Sequence, residues 1–231
     1  MKNNILKYFI SGSLLASISC TSDFLDVDSK DRVDAVDAET TYDPVMLVNG
    51  IYGEMTEWDY AFSWLGVTEI ISDNADKGSS PTDGGSDKLI LDNLEHTAAT
   101  GSIDAMWTRF YKTIGRANLS IRYTENFGLT DQNYKNRLVG EAKFLRALHY
   151  FWLVRMFGDV PIQEIDNSES WVTRKPKADV YAYIEQDLLD AISLLPNKNQ
   201  YPSADLGRAT KGAAQGLLAK VYLYEEKWQK A

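Results

Sequence analysis

From Ile103 to Tyr224 the apolar residues return every three or four positions, and this spacing restricts the fold more than any other feature of the chain. One helix is expected over 103–123, with Ile103, Trp107, Phe110, Ile114, Ala117 and Ile121 on one face. A second starts after Thr130 and carries Leu138, Ala142, Leu145, Leu148, Trp152 and Met156. It stops at Gly158 with Pro161 beyond, since glycine closes a helix cheaply and proline cannot continue one. A third spans 179–195 through Val180, Ile184, Leu188, Ala191 and Leu195, and Pro196 ends it. A fourth begins near Thr210 and runs Ala213, Ala214, Leu217, Val221 and Tyr224. Upstream, Asp43 and Pro44 form an N-cap and first-turn pair for a helix with Val45, Val48, Tyr52 and Met55 on one face. Strand signals are few. The expectation is an all-α core of helical pairs with long irregular loops.

The N-terminus is of another kind. Lys2 and Lys7 precede an uncharged stretch from Tyr8 to Ile18, too short to span a bilayer but suited to the apolar core of a secretory signal. Directly after it stands Cys20, the single cysteine of the 231 residues, which has no partner for an internal disulfide. Small Ser17 and Ser19 flank Ile18 just before it, as a peptidase site requires, although the usual lipoprotein box has Leu where Ser17 stands. Cys20 therefore reads as a lipidation site that becomes the anchored N-terminus, the alternative being a cysteine within an ordinary cleaved signal. The expected organisation is a signal peptide over 1–19, a lipidated tether over 20–41 and a helical domain over 42–231.

Charge narrows the partners. Against 24 Lys and Arg stand 33 Asp and Glu, a formal charge of −9, and loss of the cations Lys2 and Lys7 with the signal takes it to −11. Such a balance opposes binding to nucleic acid or to anionic lipid, so a membrane link rests on acyl chains. Hydrophobic residues at 44% support a sizeable core.

In "WDYAFSW", Trp58, Tyr60, Phe62 and Trp64 alternate with period two, so an extended backbone would present all four on one side. Sugar rings stack on such aromatics, and Asp73, Asn74 and Asp76 follow closely enough to bind hydroxyls. The other reading is that the aromatics pin the first helix to the core; if Trp64 begins a helix, the alternation is accidental. "SDNADKG" (72–78) has the wrong acid spacing for a calcium loop, with Gly84 where the twelfth ligand should stand. His149, beside Tyr150 and Trp152, reads as packed, and neither it nor His96 has a metal-ligand partner at helical spacing. Glu141, Arg146 and Arg155 read as structural ion pairs or solvated positions. No catalytic residues, metal or cofactor are expected.

"AAQGLLAKVYLYEEKWQKA", which ends the chain, resembles the first helix of a tetratricopeptide unit, with Trp228 and Ala231 starting the returning helix. "GEAKFLRALHYFWLVRMFGDVPI" (140–162), "ADVYAYIEQDLLDAISLLP" (178–196) and "GRATKGAAQGLLAKVYLYEEKWQKA" (207–231) resemble the SusD/RagB family of nutrient-binding outer-membrane lipoproteins. "MWTRFYKTIGRANLSI" (106–121) and "CTSDFLDV" (20–27) match it too, and all five blocks stand in the family's order. The resemblance implies a SusD-like scaffold of tetratricopeptide-like helical pairs whose loops bind oligosaccharide or peptide. It also implies a partner, a SusC-like TonB-dependent outer-membrane barrel, and an extracellular-facing lipid anchor. Members of the family are longer, so this chain resembles their N-terminal half and its last pair is expected to continue. The family's ligand rim falls partly in a loop expected over 72–102, which here holds no aromatic residue and so departs from the starch-binding members. A protein-binding tetratricopeptide scaffold, or a glycoside hydrolase, are the alternatives.

Overall fold

Two helices of 26 residues each, about 39 Å long at 1.5 Å per residue, form the spine of the molecule. The computed structural model describes residues 43–72, 74–78, 80, 86–163 and 172–231, all within the unit Glu39–Ala231. Cys20 and the segments read as signal and tether lie outside the described residues, as does Asp73.

In chain order the helices are α1 (Val45–Glu54), α2 (Trp58–Leu65), α3 (Ser86–Asp92), α4 (Gly101–Asn126), α5 (Gln132–Phe157), α6 (Lys177–Leu194) and α7 (Lys211–Tyr224). A π-helical turn, Gly66–Ile70, continues α2. Two-residue strands β1 (Val160–Pro161) and β2 (Arg174–Lys175) pair antiparallel, Val160 opposite Lys175. Successive helices α4, α5, α6 and α7 pack each on the next, while α1 and α2 lie against α4. The fold is all-α.

Local chemistry sets the helix ends. Asp43 Oδ1 accepts the Val45 N–H at 2.9 Å, and Asp131 Oδ1 accepts those of Asn133 and Tyr134. Thr210 Oγ1 takes the Ala213 N–H at 3.1 Å. Each satisfies a donor that the first helical turn leaves open. Gly158 ends α5 with φ at 73°, a conformation that costs a residue with a side chain more.

The expected apolar stripes of α4, α5 and α6 face the core. Phe110 and Ile114 of α4, Tyr150 and Leu153 of α5, Val180 and Ile184 of α6 and Val221 of α7 share one cluster. Three departures stand out. The aromatic segment 58–64 is helical rather than extended, so its period-two spacing does not put the rings on one side. The expected loop over 72–102 contains α3, whose Leu91 is fully buried. On α7 the expected Ala213 and Tyr224 are exposed, and Leu218 and Tyr222 are buried instead.

Buried charge joins the helices. Arg146 of α5 donates through Nε and Nη2 to both carboxylate oxygens of Asp187 on α6, each at 2.7 Å, and through Nη1 to Asn118 Oδ1 on α4. Glu54, with no exposed surface, receives Arg109 at 2.7 Å, Lys112 at 3.0 Å and Arg116 at 3.1 Å, which fastens α1 to α4. Burial opposes ionisation of Glu54, but hydrogen bonds from Arg109 and Lys112 outweigh it and hold the carboxyl below its usual range. Glu141 of α5 accepts the Tyr52 hydroxyl at 3.0 Å and Arg208 at 3.2 Å. Both glutamate and arginine of "EAKFLRA" are therefore structural, and the exposed Arg155 lies over the Phe151 and Tyr224 rings.

Arg146→Met should cost about 3–5 kcal/mol, because it leaves the Asp187 carboxylate buried with no cation. Urea unfolding measures the loss. Arg146→Met combined with Asp187→Leu should recover most of it; a double variant as unstable as the single one contradicts this account.

Candidate functional site

At 100° per residue, positions 58 and 62 share one face of α2, and positions 60 and 64 another. The four aromatics divide accordingly. Tyr60 turns inward, 4% exposed, and its hydroxyl meets His149 Nε2 at 2.9 Å. His149 Nδ1 lies 2.7 Å from the Leu145 carbonyl, which can only accept, so Nδ1 carries the proton and Nε2 accepts from Tyr60. Trp64 is half-buried, its ring 4.6 Å from that of Trp152 and 6.3 Å from that of Phe110. These two aromatics pin α2 to α4 and α5. Tyr60 has no free ring face for a ligand.

The opposite face is open. Trp58 is 72% exposed, and its ring stacks on Phe62 with centroids 5.2 Å apart and planes 14° from parallel. Lys88 Nζ of α3 stands 4.2 Å from the Phe62 centroid. That lysine is buried, pairs with Asp87 at 3.2 Å and donates to the Ser102 hydroxyl. Asp87 in turn accepts the Ser102 N–H at 3.1 Å, so α3 caps the start of α4. Beside Trp58, Asp59 pairs with Arg109 at 2.8 Å.

Asn74 and Asp76 are exposed on the segment that follows the π-helical turn. Lys77 holds this segment, its N–H donating to Asp92 Oδ2 at 3.1 Å and its Nζ to the Ser80 carbonyl at 2.8 Å. The structure thus brings Trp58 and Phe62 together, separates Tyr60 and Trp64 from them, and leaves Asn74 and Asp76 as free surface groups nearby in sequence. Sequence reasoning missed Lys88 and Asp59. The four-residue spacing of Trp58 and Phe62 was the available signal, hidden by the stronger period-two pattern.

What this face can do chemically is stack an apolar ring on the outer side of the Trp58 indole, beside the Asp59–Arg109 ion pair. A cavity of about 180 Å³ bounded by Val67, Ile71, His96, Met106 and Met156 is too small for a sugar, since ligand pockets run to roughly 300 Å³ and above. Among the described residues, no group of His, Cys, Asp or Glu is placed to hold a metal ion, and no helix is long and apolar enough to cross a membrane.

Residues 23–223 match a family profile described as starch-binding and associating with the outer membrane. The chain belongs to the SusD-like family. SusD-like protein P2 of Formosa agariphila is 33% identical over 200 residues, covering 84% of this chain and 38% of that protein. The starch-binding protein SusD of Bacteroides thetaiotaomicron is 29% identical over 134 residues, covering 58% of this chain and 23% of the relative. Among solved structures, a laminarin-binding SusD-like protein superposes with a TM-score of 0.68 at 29% identity, covering 88% of this chain and 42% of that one. This SusD-like chain therefore spans less than half the length of the relatives it matches.

Burial lowers the His149 pKa from 6.5 to about 4, because the interior penalises the imidazolium. The folded state keeps His149 neutral while the unfolded chain takes up a proton below pH 6.5, so this share of stability is complete above 6.5 and lost as pH falls toward 4. The loss should reach about 3 kcal/mol, at 1.36 kcal/mol per pKa unit. Urea unfolding at pH 7, 5.5 and 4.5 tests it: His149→Gln should start less stable and lose less over that range, and parallel profiles would refute it.

Proposed function

We propose that the complete protein is a surface-exposed lipoprotein of the outer membrane, anchored through acyl chains on Cys20. It binds an oligosaccharide, or a peptide, and passes it to a partner TonB-dependent barrel of the SusC kind. The observation that carries this reading is the family match over residues 23–223, to a profile described as starch-binding and outer-membrane associated. Relatives named for starch and laminarin favour a glucan within that class.

The open face of α2 supports the same reading. An indole 72% exposed and braced by a second ring offers a flat apolar surface to a pyranose, and Asp73, Asn74 and Asp76, which follow in the chain, are the proposed hydroxyl partners. Such a platform binds without cleaving, as it needs no acid–base pair. Contact on a shallow surface gives micromolar affinity, roughly −8 kcal/mol at the strong end. A protein-binding helical scaffold would use the helical pairs but has no need of Trp58.

A glycan array probed with the complete protein should report binding to neutral oligosaccharides, with the glycan recovered at its original length. Trp58→Ala should weaken that binding about tenfold or more and leave the thermal melt unchanged. Tyr60→Ala should instead cost about 3–5 kcal/mol of stability. Silence across the array, or shortened glycan, overturns the proposal.

The anchor has its own test. Cys20→Ser should move the protein from the detergent phase to the aqueous phase, since a single acylated cysteine is the strong membrane attachment the sequence offers. A variant that partitions like the wild type refutes the lipid anchor.

A further inference from the structure

We infer that Lys88 is a positioning residue for the glycan platform, acting through Phe62 on Trp58. Three groups from two elements form one stack. Lys88 of α3 is 3% exposed and holds its ammonium 4.2 Å from the Phe62 centroid. Phe62 is half-buried, and the Trp58 ring lies nearly parallel to it at 5.2 Å. Trp58, at 72% exposure, is the outermost layer. Phe62 thus sits between a buried cation and an open indole.

The lysine cannot drift from its ring. Its ammonium pairs with Asp87 and donates to the Ser102 hydroxyl, and Asp87 also accepts the Ser102 N–H at 3.1 Å, so both partners are fixed at the start of α4. Its stem is held as closely. A Cβ at Gly66 would come within 3.0 Å of Lys88 Cδ, so the chain after α2 grips the lysine by having no side chain there. A cation held over an aromatic face attracts it, and more strongly when water is excluded, as here. The attraction orients the Phe62 ring, and stacking carries that orientation to the indole. A ligand then meets an indole already in its bound attitude, which spares the ordering cost of fixing an exposed side chain.

The inference rests on the proposed glycan-binding reading, with Trp58 as the contact residue. Removing the cation should weaken binding about three- to tenfold, the usual range for ordering one large side chain. A merely structural lysine would act on binding whether or not Trp58 were present, so the test is a double-mutant cycle. Isothermal titration of the complete protein with laminarihexaose and with maltohexaose would compare wild type, Lys88→Met, Trp58→Ala and the double variant, each beside its thermal melt. Lys88→Met keeps the apolar stem and removes the charge; Lys88→Arg should restore binding. Phe62→Leu removes the middle layer while leaving the ties to Asp87 and Ser102, and serves if Lys88→Met does not fold.

The expected result is a loss in Lys88→Met or Phe62→Leu that vanishes in the Trp58→Ala background. A loss that persists without Trp58, or no loss at all while Trp58→Ala weakens binding, overturns the role of Lys88 and leaves the glycan-binding reading standing. If Trp58→Ala binds like wild type, the platform itself is wrong and Lys88 has nothing to position. If the wild type binds neither sugar, the proposed role on glucans fails, and the inference with it.

Discussion

A guanidinium with almost no access to water joins the central helices: Arg146 of α5 grips Asp187 of α6 with two hydrogen bonds and Asn118 of α4 with a third. A charge in such surroundings is tolerable only if its partners stay put, because separating it from them costs more than any single apolar contact restores. The pair therefore fixes how the three helices slide past one another. Two further polar clamps extend the constraint outward. Glu54 fastens α1 to the arginines and lysine of α4, and Glu141 draws in Tyr52 of α1 and Arg208 ahead of α7. The Tyr52 hydroxyl also accepts the Ala209 N–H at 2.9 Å, so the approach to α7 is tied back to α1. Apolar burial supplies the bulk of the stability, but it is non-directional, and these clamps choose one arrangement among many that would bury the same surface.

The exposed face of α2 follows from that frame. Once α5 is in place, His149 presents an acceptor at a fixed point, and the Tyr60 hydroxyl has one orientation that satisfies both. Anchoring Tyr60 and Trp64 sets the rotation of α2 about its axis. Trp58 and Phe62, two positions off that face, are then carried outward as a matter of helical geometry. The exposed indole is a by-product of how well its neighbours are buried.

Legibility in the sequence tracked the range of the forces. The helices α4 to α7 could be read because their stripes repeat over three or more turns and their ends carry local punctuation at Asp131, Gly158, Pro196 and Thr210. The helix α3 could not, being seven residues long with one fully buried leucine. The aromatic segment was ambiguous in principle, since alternate positions satisfy period two and also place pairs four apart. Buried Glu54, Glu141, Arg146 and Asp187 look like any other charges on an acidic chain, and only distant partners distinguish them. The same holds within the site: Trp58 and Trp64 are one residue type in one heptapeptide, and what separates an exposed ring from a packed one is the presence of Trp152 and Phe110 across the groove.

The π-helical turn at Gly66–Ile70 sets the phase in which the chain leaves α2. It ends α2, where the Ile71 N–H reaches back five residues to the Gly66 carbonyl at 3.1 Å and widens the last turn by one residue. Tyr60 and Trp64 keep their side of α2 against the bundle, and Ile70, the last residue of the turn, is buried as well. The exposed face of α2 and the segment that follows the turn are thereby offset in phase. A change in the length of the segment bearing Asn74 and Asp76 would therefore leave the rotation of α2, and with it the exposure of Trp58, where the packed Tyr60 and Trp64 set it.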